Sequence, residues 1–122
     1  MMVLIDTSIW IRFLYNKSPY AQEVDRLLHD EEVLGHDLVL GELLIGSPGG
    51  RRKLLSSYIL MPQAPTVPHG EVVTFVQQRS LFGRGIGWID AHLLASSLTV
   101  GCRLWTADES LSGIARALGV SH

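Results

Sequence analysis

The segment VLIDTSIW, residues 3–10, joins a short apolar run to an acid and two hydroxyl residues. Val3–Ile5 is continuous and β-favouring without polar alternation, which is typical of a parallel strand covered on both faces. Asp6, Thr7 and Ser8 then offer side chains of the kind that start helices. Apolar residues follow at helical spacing until the segment NKSP breaks the pattern. This segment therefore predicts a strand that leads directly into a helix, with an acid at the junction.

The same strand-then-acid pattern recurs in CRLWTAD at residues 102–108, and a third β-favouring run lies at 33–35. The proline-rich segment MPQAPTVP at 61–68 allows at most a brief strand. Strands that alternate with helices predict an α/β fold with a parallel sheet and right-handed crossovers. We expect one helix to begin at about residue 19 and others to cover residues 9–14, 37–46, 51–58, 71–81, 88–100 and 110–118. An SPGG turn follows the helix over 37–46.

The 122 residues are 47% hydrophobic, which fits one compact domain over residues 1–122 with a single core. Ten basic residues against twelve acidic ones give a net charge of −2, so the chain lacks a bulk basic surface for nucleic acid. One cysteine, Cys102, excludes an internal disulfide and fits a buried residue in a protein of the reducing cytoplasm. Charges and prolines interrupt every apolar stretch before the ~20 residues needed to span a bilayer, so we expect no membrane contact.

Four acids stand where an ordinary surface carboxylate would be unusual. Asp6 and Asp108 each follow a predicted strand, at the carboxyl edge of a parallel sheet where ligands bind. Glu42 interrupts DLVLGELLIG, a helix that is apolar nearly all round and is therefore expected to be buried. Asp90 lies in the first turn of its predicted helix. Each acid has an alternative explanation when taken alone: capping for the first two, an exposed stripe for Glu42 and the helix dipole for Asp90.

Taken together, these acids predict a metal site. Converging carboxylates repel and raise one another's pKa values, and a hard divalent cation relieves that conflict. Mg²⁺ or Mn²⁺ prefers oxygen ligands, keeps several waters and commonly shares its coordination with substrate phosphate. Zinc is less favoured, because the five histidines show no ligand spacing and there is no cysteine pair. The predicted site consists of Asp6, Glu42, Asp90 and Asp108.

A resemblance to a known family rests on four motifs. VLIDTSIW, GELLIG, GWIDAHLLAS and LWTAD stand in the order and approximate spacing of the acidic motifs of PIN-domain ribonucleases, and the chain especially resembles VapC toxins. The match covers about residues 3–118. It implies a three-layer α/β/α PIN domain around a central, mainly parallel sheet of four or five strands. The sequence departs from the family in two features: GVSH leaves little room for a final strand, and Glu109 adjoins Asp108.

For the site, the resemblance implies an endoribonuclease that depends on Mg²⁺ or Mn²⁺. Asp6, Asp90 and Asp108 would hold the main metal ion, and Glu42 would act with Asp90 near a second metal or the attacking water. Hydrolysis by a metal-activated water would leave a 5′-phosphate and a 3′-hydroxyl, without using the RNA 2′-hydroxyl as nucleophile. The supporting hydroxyls, which would orient ligands or waters, are those of Ser8 and Thr106.

Basic and aromatic residues near these motifs are candidates for contacting RNA. Arg84 lies between glycines in FGRGIG, a predicted mobile loop able to close over a substrate. Trp88, at the entrance of the helix that carries Asp90, is open to a base-stacking role, whereas Trp10 and Trp105 are expected in the core. For each basic residue the alternative is a solvated surface charge. The candidate RNA contacts are Arg84, Arg51 and Arg52, with Lys53 and Arg79 as further possibilities.

The resemblance also implies partners and a cellular role. VapC toxins cleave particular tRNAs or ribosomal RNA and so inhibit translation, and a VapB antitoxin holds them inactive by placing its tail in the active-site groove. We therefore expect an RNA substrate, a VapB-type antitoxin, a homodimer and a toxin–antitoxin hetero-oligomer. The alternative is a catalytically silent PIN-like module that only binds RNA or a partner, in which one of the motif acids would be replaced.

Overall fold

The computed structural model describes residues 1–46 and 51–122, in which strands and helices follow one another as the sequence predicts. The predicted SPGG turn, residues 47–50, lies outside the described residues. The α/β class is confirmed. In chain order the elements are β1 (Val3–Ile5), α1 (Thr7–Leu14), α2 (Tyr20–His29), β2 (Val33–Leu34), α3 (Asp37–Ile45), α4 (Arg51–Tyr58), α5 (His69–Gln78), α6 (Trp88–Val100), β3 (Arg103–Trp105) and α7 (Glu109–Ala117).

The strands form one parallel sheet in the order β2-β1-β3. Val3 pairs with Val33 on one side of β1 and with Arg103 on the other, so β1 is the central strand. Every residue of β1 is buried, as expected for a parallel strand covered on both faces. Because all pairings are parallel, the carboxyl ends of the strands meet at one edge of the sheet, which we call the carboxyl edge.

The prediction of four or five strands is wrong in number, because the described residues contain three strands and each outer edge is extended by a single bridge. Gln63 pairs with Gly35 beside β2, and Ser121 pairs with Leu104 beside β3. Pro62 and Pro65 flank residues 63 and 64 and cannot donate a backbone hydrogen bond, which prevents a longer ladder there. The proline-rich segment thus contributes the brief pairing expected of it, but no full strand.

Two large aromatic side chains fix helices to the sheet. Trp10 and Tyr58 are fully buried and meet edge to face, with ring centroids 5.7 Å apart. The Trp10 indole N–H donates to the Ile5 carbonyl at 3.1 Å, and the Tyr58 hydroxyl accepts from the His36 N–H at 2.8 Å. The prediction that Trp10 lies in the core is confirmed, whereas Trp105 is only half-buried at the margin of the core.

The helix that carries Asp90, α6, is enclosed by the rest of the fold along most of its length. Residues 91–97 are all buried, which agrees with a helix that is apolar on every side. The helix ends at Gly101, whose φ of +76° is a left-handed conformation that glycine adopts without a Cβ penalty. Cys102 follows as a buried free thiol, as predicted. Among the described helices, none combines the length and the apolar character needed to cross a bilayer.

Candidate active site

The carboxyl edge brings Asp6 and Thr106 side by side. Each directly follows the last residue of its strand, and the Asp6 N–H donates to the Trp105 carbonyl at 2.9 Å. This bond continues the pairing of β1 with β3, so the backbone of Asp6 is fixed to the sheet. The Asp6 side chain is 6% exposed, and a carboxylate so deeply buried is costly unless polar groups compensate its charge.

Two hydroxyl groups supply that compensation. Ser8 Oγ donates to Asp6 Oδ2 at 2.8 Å, and Thr106 Oγ1 donates to the same oxygen at 2.7 Å. Each hydroxyl also accepts a backbone hydrogen bond: Ser8 from the Ala107 N–H at 3.0 Å, and Thr106 from the Asp108 N–H at 3.1 Å. The predicted supporting residues are therefore in contact with Asp6, and they join it to the turn that leads to Asp108.

The two acids that follow strands differ in whether they cap a helix. Asp108 is exposed, and its Oδ1 accepts from the Leu111 N–H at 2.9 Å, which caps α7. Asp6 precedes α1 in the same way, but in the described structure its side chain makes no capping hydrogen bond. The capping alternative therefore applies to Asp108 and fails for Asp6. Glu109, the neighbouring acid, is exposed as the first residue of α7.

Asp90 is half-buried in the first turn of α6, where its Oδ2 accepts from the Gly87 N–H at 3.0 Å. Its pKa is raised, and burial is the largest cause. The negative charges of the other three acids raise the pKa of Asp90 further, while the Gly87 hydrogen bond acts in the opposite direction. The other three acids therefore lie close enough to Asp90 to disfavour its negative charge.

Glu42 reaches this group from α3 and is held by a residue that sequence reasoning did not assign to the site. Thr7 Oγ1 donates to Glu42 Oε1 at 2.6 Å, which links the first turn of α1 to α3. The two residues are 35 positions apart, so no local pattern signals the bond. The expectation that α3 is buried all round is wrong, because Glu42 is half-buried and Leu44 and Ile45 are 61% and 89% exposed.

One arrangement is common to all four carboxylates. Within residues 1–46 and 51–122, hydrogen bonds reach one oxygen of each: Oδ2 of Asp6 and Asp90, Oδ1 of Asp108 and Oε1 of Glu42. Among these residues, the second oxygen of each side chain accepts no hydrogen bond. Hydrogen bonds of this kind orient metal-binding carboxylates in proteins.

The donor set fits a hard divalent cation by its chemistry. All the candidate ligands are carboxylate oxygens, which Mg²⁺ and Mn²⁺ prefer, and the repulsion that the other three acids exert on Asp90 is a conflict that such a cation relieves. Within the described ranges, no three acidic, histidine or cysteine side chains converge closely enough to form a preassembled metal cluster. The raised pKa of Asp90 is compatible with the lack of a close cluster, because repulsion between charges acts over longer distances than metal coordination.

Comparison with known proteins shows the family of this chain. The family model of the PIN domain matches residues 3–117. The chain belongs to the PIN domain family. Ribonuclease VapC32 of Mycobacterium tuberculosis, found in two strains, is 42% identical to this PIN protein over 121 residues, which cover 98% of this chain and 95% of the relative.

Solved structures share the PIN fold at low sequence identity. A structure of VapBC2 from Rickettsia felis, bound to a DNA fragment from the promoter, matches with a TM-score of 0.64 at 18% identity over 88% of each chain. PAE2754 from Pyrobaculum aerophilum matches with a TM-score of 0.59 at 19% identity, over 93% of this chain and 84% of that one. The predicted PIN fold is therefore confirmed.

The FGRGIG loop of this PIN domain lies against α7. Gly83 and Gly85 have φ values of +70° and +82°, and a Cβ added to Gly85 would lie 2.9 Å from Ser110 Oγ. Glycine at this position therefore lets the loop approach the first turn of α7, which Asp108 caps. Arg84 is exposed between these glycines.

The other two candidate RNA contacts lie on α4. Arg51 Nη1 donates to the Leu43 carbonyl at 3.3 Å, so its guanidinium stabilises the last turn of α3. Arg52 is exposed. Arg51 therefore has a structural contact of its own, and contact of either arginine with RNA stays a prediction.

Proposed function

We propose that this PIN protein is a metal-dependent endoribonuclease, the toxin of a VapBC-type toxin–antitoxin pair, which hydrolyses phosphodiester bonds of tRNA or ribosomal RNA and thereby inhibits translation. The sequence support is 42% identity to a protein named Ribonuclease VapC32. The structural observation that carries the proposal is the set of carboxylates at the carboxyl edge, each oriented through one oxygen, while the other accepts no hydrogen bond among the described residues.

Mg²⁺ or Mn²⁺ is the proposed cofactor. Asp6, Asp90 and Asp108 would hold the main ion, and Glu42 together with Asp90 would lie near a second ion or the attacking water. When bound, such a cation makes a coordinated water more acidic and stabilises negative charge on the phosphodiester.

The hydroxyl residues act by positioning these carboxylates. Ser8 and Thr106 both donate to Oδ2 of Asp6, which fixes the direction of its Oδ1. Because each hydroxyl also accepts from a backbone amide, rotating it away would break two hydrogen bonds. Thr7 orients Glu42 by the same kind of contact, so we add it to the predicted supporting residues.

The proposed nucleophile is water, and the products are a 5′-phosphate and a 3′-hydroxyl. Asp90 and Glu42 are the proposed residues that orient this water.

The proposed protein partners are a VapB-type antitoxin and a second copy of this chain, in a homodimer and a toxin–antitoxin hetero-oligomer. Four large apolar side chains at the ends of α3 and α4 are between 61% and 89% exposed. The two helices pack against each other, so these side chains belong to neighbouring elements. Arg51 at the start of α4 contacts the end of α3, and Tyr58 at the end of α4 contacts His36 at the start of α3, so the side chains form two separate exposed apolar pairs. Exposed apolar surface of this kind is a candidate for protein association. The four residues are Leu44, Ile45, Ile59 and Leu60.

We also propose that residues 1–122 form a single domain that works in the cytoplasm without membrane contact. One hydrophobic cluster joins residues from β1, β2 and β3 to most of the helices, which supports a single core. The free thiol of Cys102 suits a reducing compartment.

The test of this function is RNA cleavage by the purified protein with Mg²⁺, with EDTA, and as the D6N variant. We expect cleavage with Mg²⁺, none with EDTA, and a loss of at least about 100-fold in D6N, because an amide cannot replace the charged ligand. D25N is the matched control, since Asp25 is an exposed acid on α2, and it should retain full activity. Cleavage that survives EDTA, or full activity of D6N, would overturn the proposal; binding of RNA without cleavage would favour the catalytically silent module.

A further inference from the structure

Trp88 is an exposed aromatic residue at the start of α6, framed by two histidines. Its side chain is 42% exposed, whereas Trp10 is fully buried. The His69 ring lies 5.0 Å from the Trp88 ring between centroids at a tilt of 53°, and the His92 ring lies 5.3 Å away nearly perpendicular, at 87°. The indole is thus held by neighbours from α5 and α6 and still faces solvent in part.

The framing histidine on α6 carries an unsatisfied polar atom. His92 is 7% exposed, and its Nδ1 is buried without a hydrogen-bond partner among the described residues. Buried polar atoms are nearly always paired, so this nitrogen is a polar group beside the Trp88 ring that the described residues leave unpaired. This observation is independent of the exposure of Trp88.

A second exposed aromatic residue faces the same region. Phe82 is 71% exposed, and a cavity of about 120 Å³ is lined by residues that include Phe82, Ile86, Trp88 and Ala91. We call Trp88, His69, His92 and Phe82 together the aromatic platform. The exposed Arg84 follows Phe82 by two residues, which provides a positive charge for a phosphate next to the platform.

Trp88 and Asp90 both lie in the first turn of α6. The Gly87 N–H that binds Asp90 Oδ2 directly precedes Trp88, so one turn of backbone fixes both side chains. Residues two positions apart point to different sides of a helix that is about 10–12 Å across with its side chains. A base a few nucleotides from a phosphate at Asp90 would therefore have to cross the first turn of α6 to reach Trp88, a path no longer than the width of one helix.

We propose that the aromatic platform binds one unpaired nucleobase of the RNA substrate by stacking, close to the scissile phosphodiester. The proposal rests on the ribonuclease function above and adds a recognition site to it. Bases of single-stranded loops stack on aromatic and histidine rings, whereas bases within a duplex are already stacked on their neighbours. The platform therefore selects cleavage sites in unpaired segments.

The test is abasic interference at a mapped cleavage site. The site is first mapped on total RNA, and short RNAs that span it are then made with one base removed at each position in turn. With the wild-type protein, one position near the scissile bond should reduce kcat/KM by roughly 5- to 150-fold, the cost of losing one base–aromatic stack. W88A should lower kcat/KM for the intact RNA by a similar factor, mainly through KM, and should no longer respond to base removal at that position.

Two further variants separate stacking from folding. W88F keeps an aromatic ring and should retain most of the activity and the abasic response. Y15A removes another exposed aromatic ring, which is 69% exposed and follows α1, and it should behave as the wild type. Because an abasic effect at one position requires contact with the base, a general loss of stability would not reproduce this pattern.

The outcomes distinguish this inference from the function on which it rests. If the wild type cleaves RNA and W88A shows the same kcat/KM and the same abasic profile, the platform proposal is overturned and the ribonuclease function stands. Trp88 would then be surface for a protein partner. If the wild type with Mg²⁺ cleaves no RNA, both proposals fall together.

Discussion

The hydrogen bonding of the Asp6 side chain depends on a residue that is distant in sequence. A strand that ends in an acid can be recognised in VLIDTSIW, but whether that acid caps α1 cannot be decided locally. The decision comes from Thr106, which is 100 positions away and donates to Asp6 Oδ2 in competition with any capping bond. The sequence therefore predicts where the carboxylate lies, whereas its hydrogen-bond partners depend on the pairing of β1 with β3.

Thr7 provides a test of positioning at the level of one hydroxyl. T7V removes the hydrogen bond to Glu42 and keeps the shape of the side chain. A hydrogen bond to a charged group contributes about 1.5–3 kcal/mol, so we expect kcat/KM for RNA cleavage to fall by roughly 10- to 100-fold. Steady-state kinetics on a fixed RNA substrate measures the change.

T7S and T74V are the controls for this prediction. T7S restores a hydroxyl and should recover most of the activity. Thr74 is exposed on α5 and its hydroxyl donates to the Gly70 carbonyl one turn earlier, so T74V makes the same substitution away from the acids. If T7V cleaves RNA as fast as T74V does, Thr7 has no positioning role.

At the scale of elements, the junction between β2 and α3 depends on a buried histidine. His36 is fully buried; its Nδ1 accepts from the Leu38 N–H at 3.1 Å, which caps α3, and its Nε2 lies 2.9 Å from Ser96 Oγ on α6. Since Nδ1 accepts, Nε2 carries the proton and donates to Ser96. Ser96 in turn donates to the Pro65 carbonyl at 2.9 Å, so a neutral imidazole connects elements around the sheet.

This junction makes stability depend on pH. Burial is the largest cause that lowers the pKa of His36 from 6.5; nearby His92 acts in the same direction, and Asp37 opposes it. The unfolded chain therefore binds a proton at a pH where the folded protein does not. The stability contributed by neutral His36 is complete above about pH 6.5 and is lost as the pH falls through that value towards the lower folded pKa.

H36N should reduce this dependence. Asparagine can still cap α3, but it does not titrate, so the slope of unfolding free energy against pH below about 6.5 should decrease by at most about 1.4 kcal/mol per pH unit. We expect H36N to be less stable at neutral pH by about 1–3 kcal/mol, because Ser96 loses the hydrogen bond that it accepts from His36 Nε2. Urea unfolding at several pH values measures both quantities.

H29N is the control, because His29 is exposed at the end of α2 and should leave the wild-type slope unchanged. An H36N protein whose stability falls with acid as steeply as that of the wild type would show that His36 does not carry the effect.

The elements themselves were largely predictable, and the exceptions have physical causes. The strands at β1 and β3 and the helix at α6 follow from apolar runs and helical periodicity that packing does not override. Periodicity could not show that α3 exposes Leu44 and Ile45, because a helix with an exposed apolar face has the same sequence pattern as a buried helix. The number of strands was wrong because single bridges beside prolines do not extend into ladders.

At the scale of the whole molecule, a net charge of −2 is compatible with the proposed RNA substrate if the protein contacts the RNA backbone locally. The acids meet at the carboxyl edge, where a divalent cation would offset their charge, and Arg84 lies on the loop that approaches α7. Their positions in the sequence and the resemblance both predict the four acids as a site, but the contact of Thr7 with Glu42 and the aromatic platform depend on tertiary contacts that no motif records.

The central claim is that water activated at the acidic site, and not the RNA's own 2′-hydroxyl, attacks the phosphodiester. The most direct measurement is single-turnover cleavage, with Mg²⁺, of a mapped RNA substrate that carries one 2′-deoxy nucleotide at the scissile position. We predict that this substrate is cut at the same bond and leaves a 5′-phosphate and a 3′-hydroxyl. A substrate that binds as tightly as the all-RNA form and remains wholly uncut would contradict the mechanism.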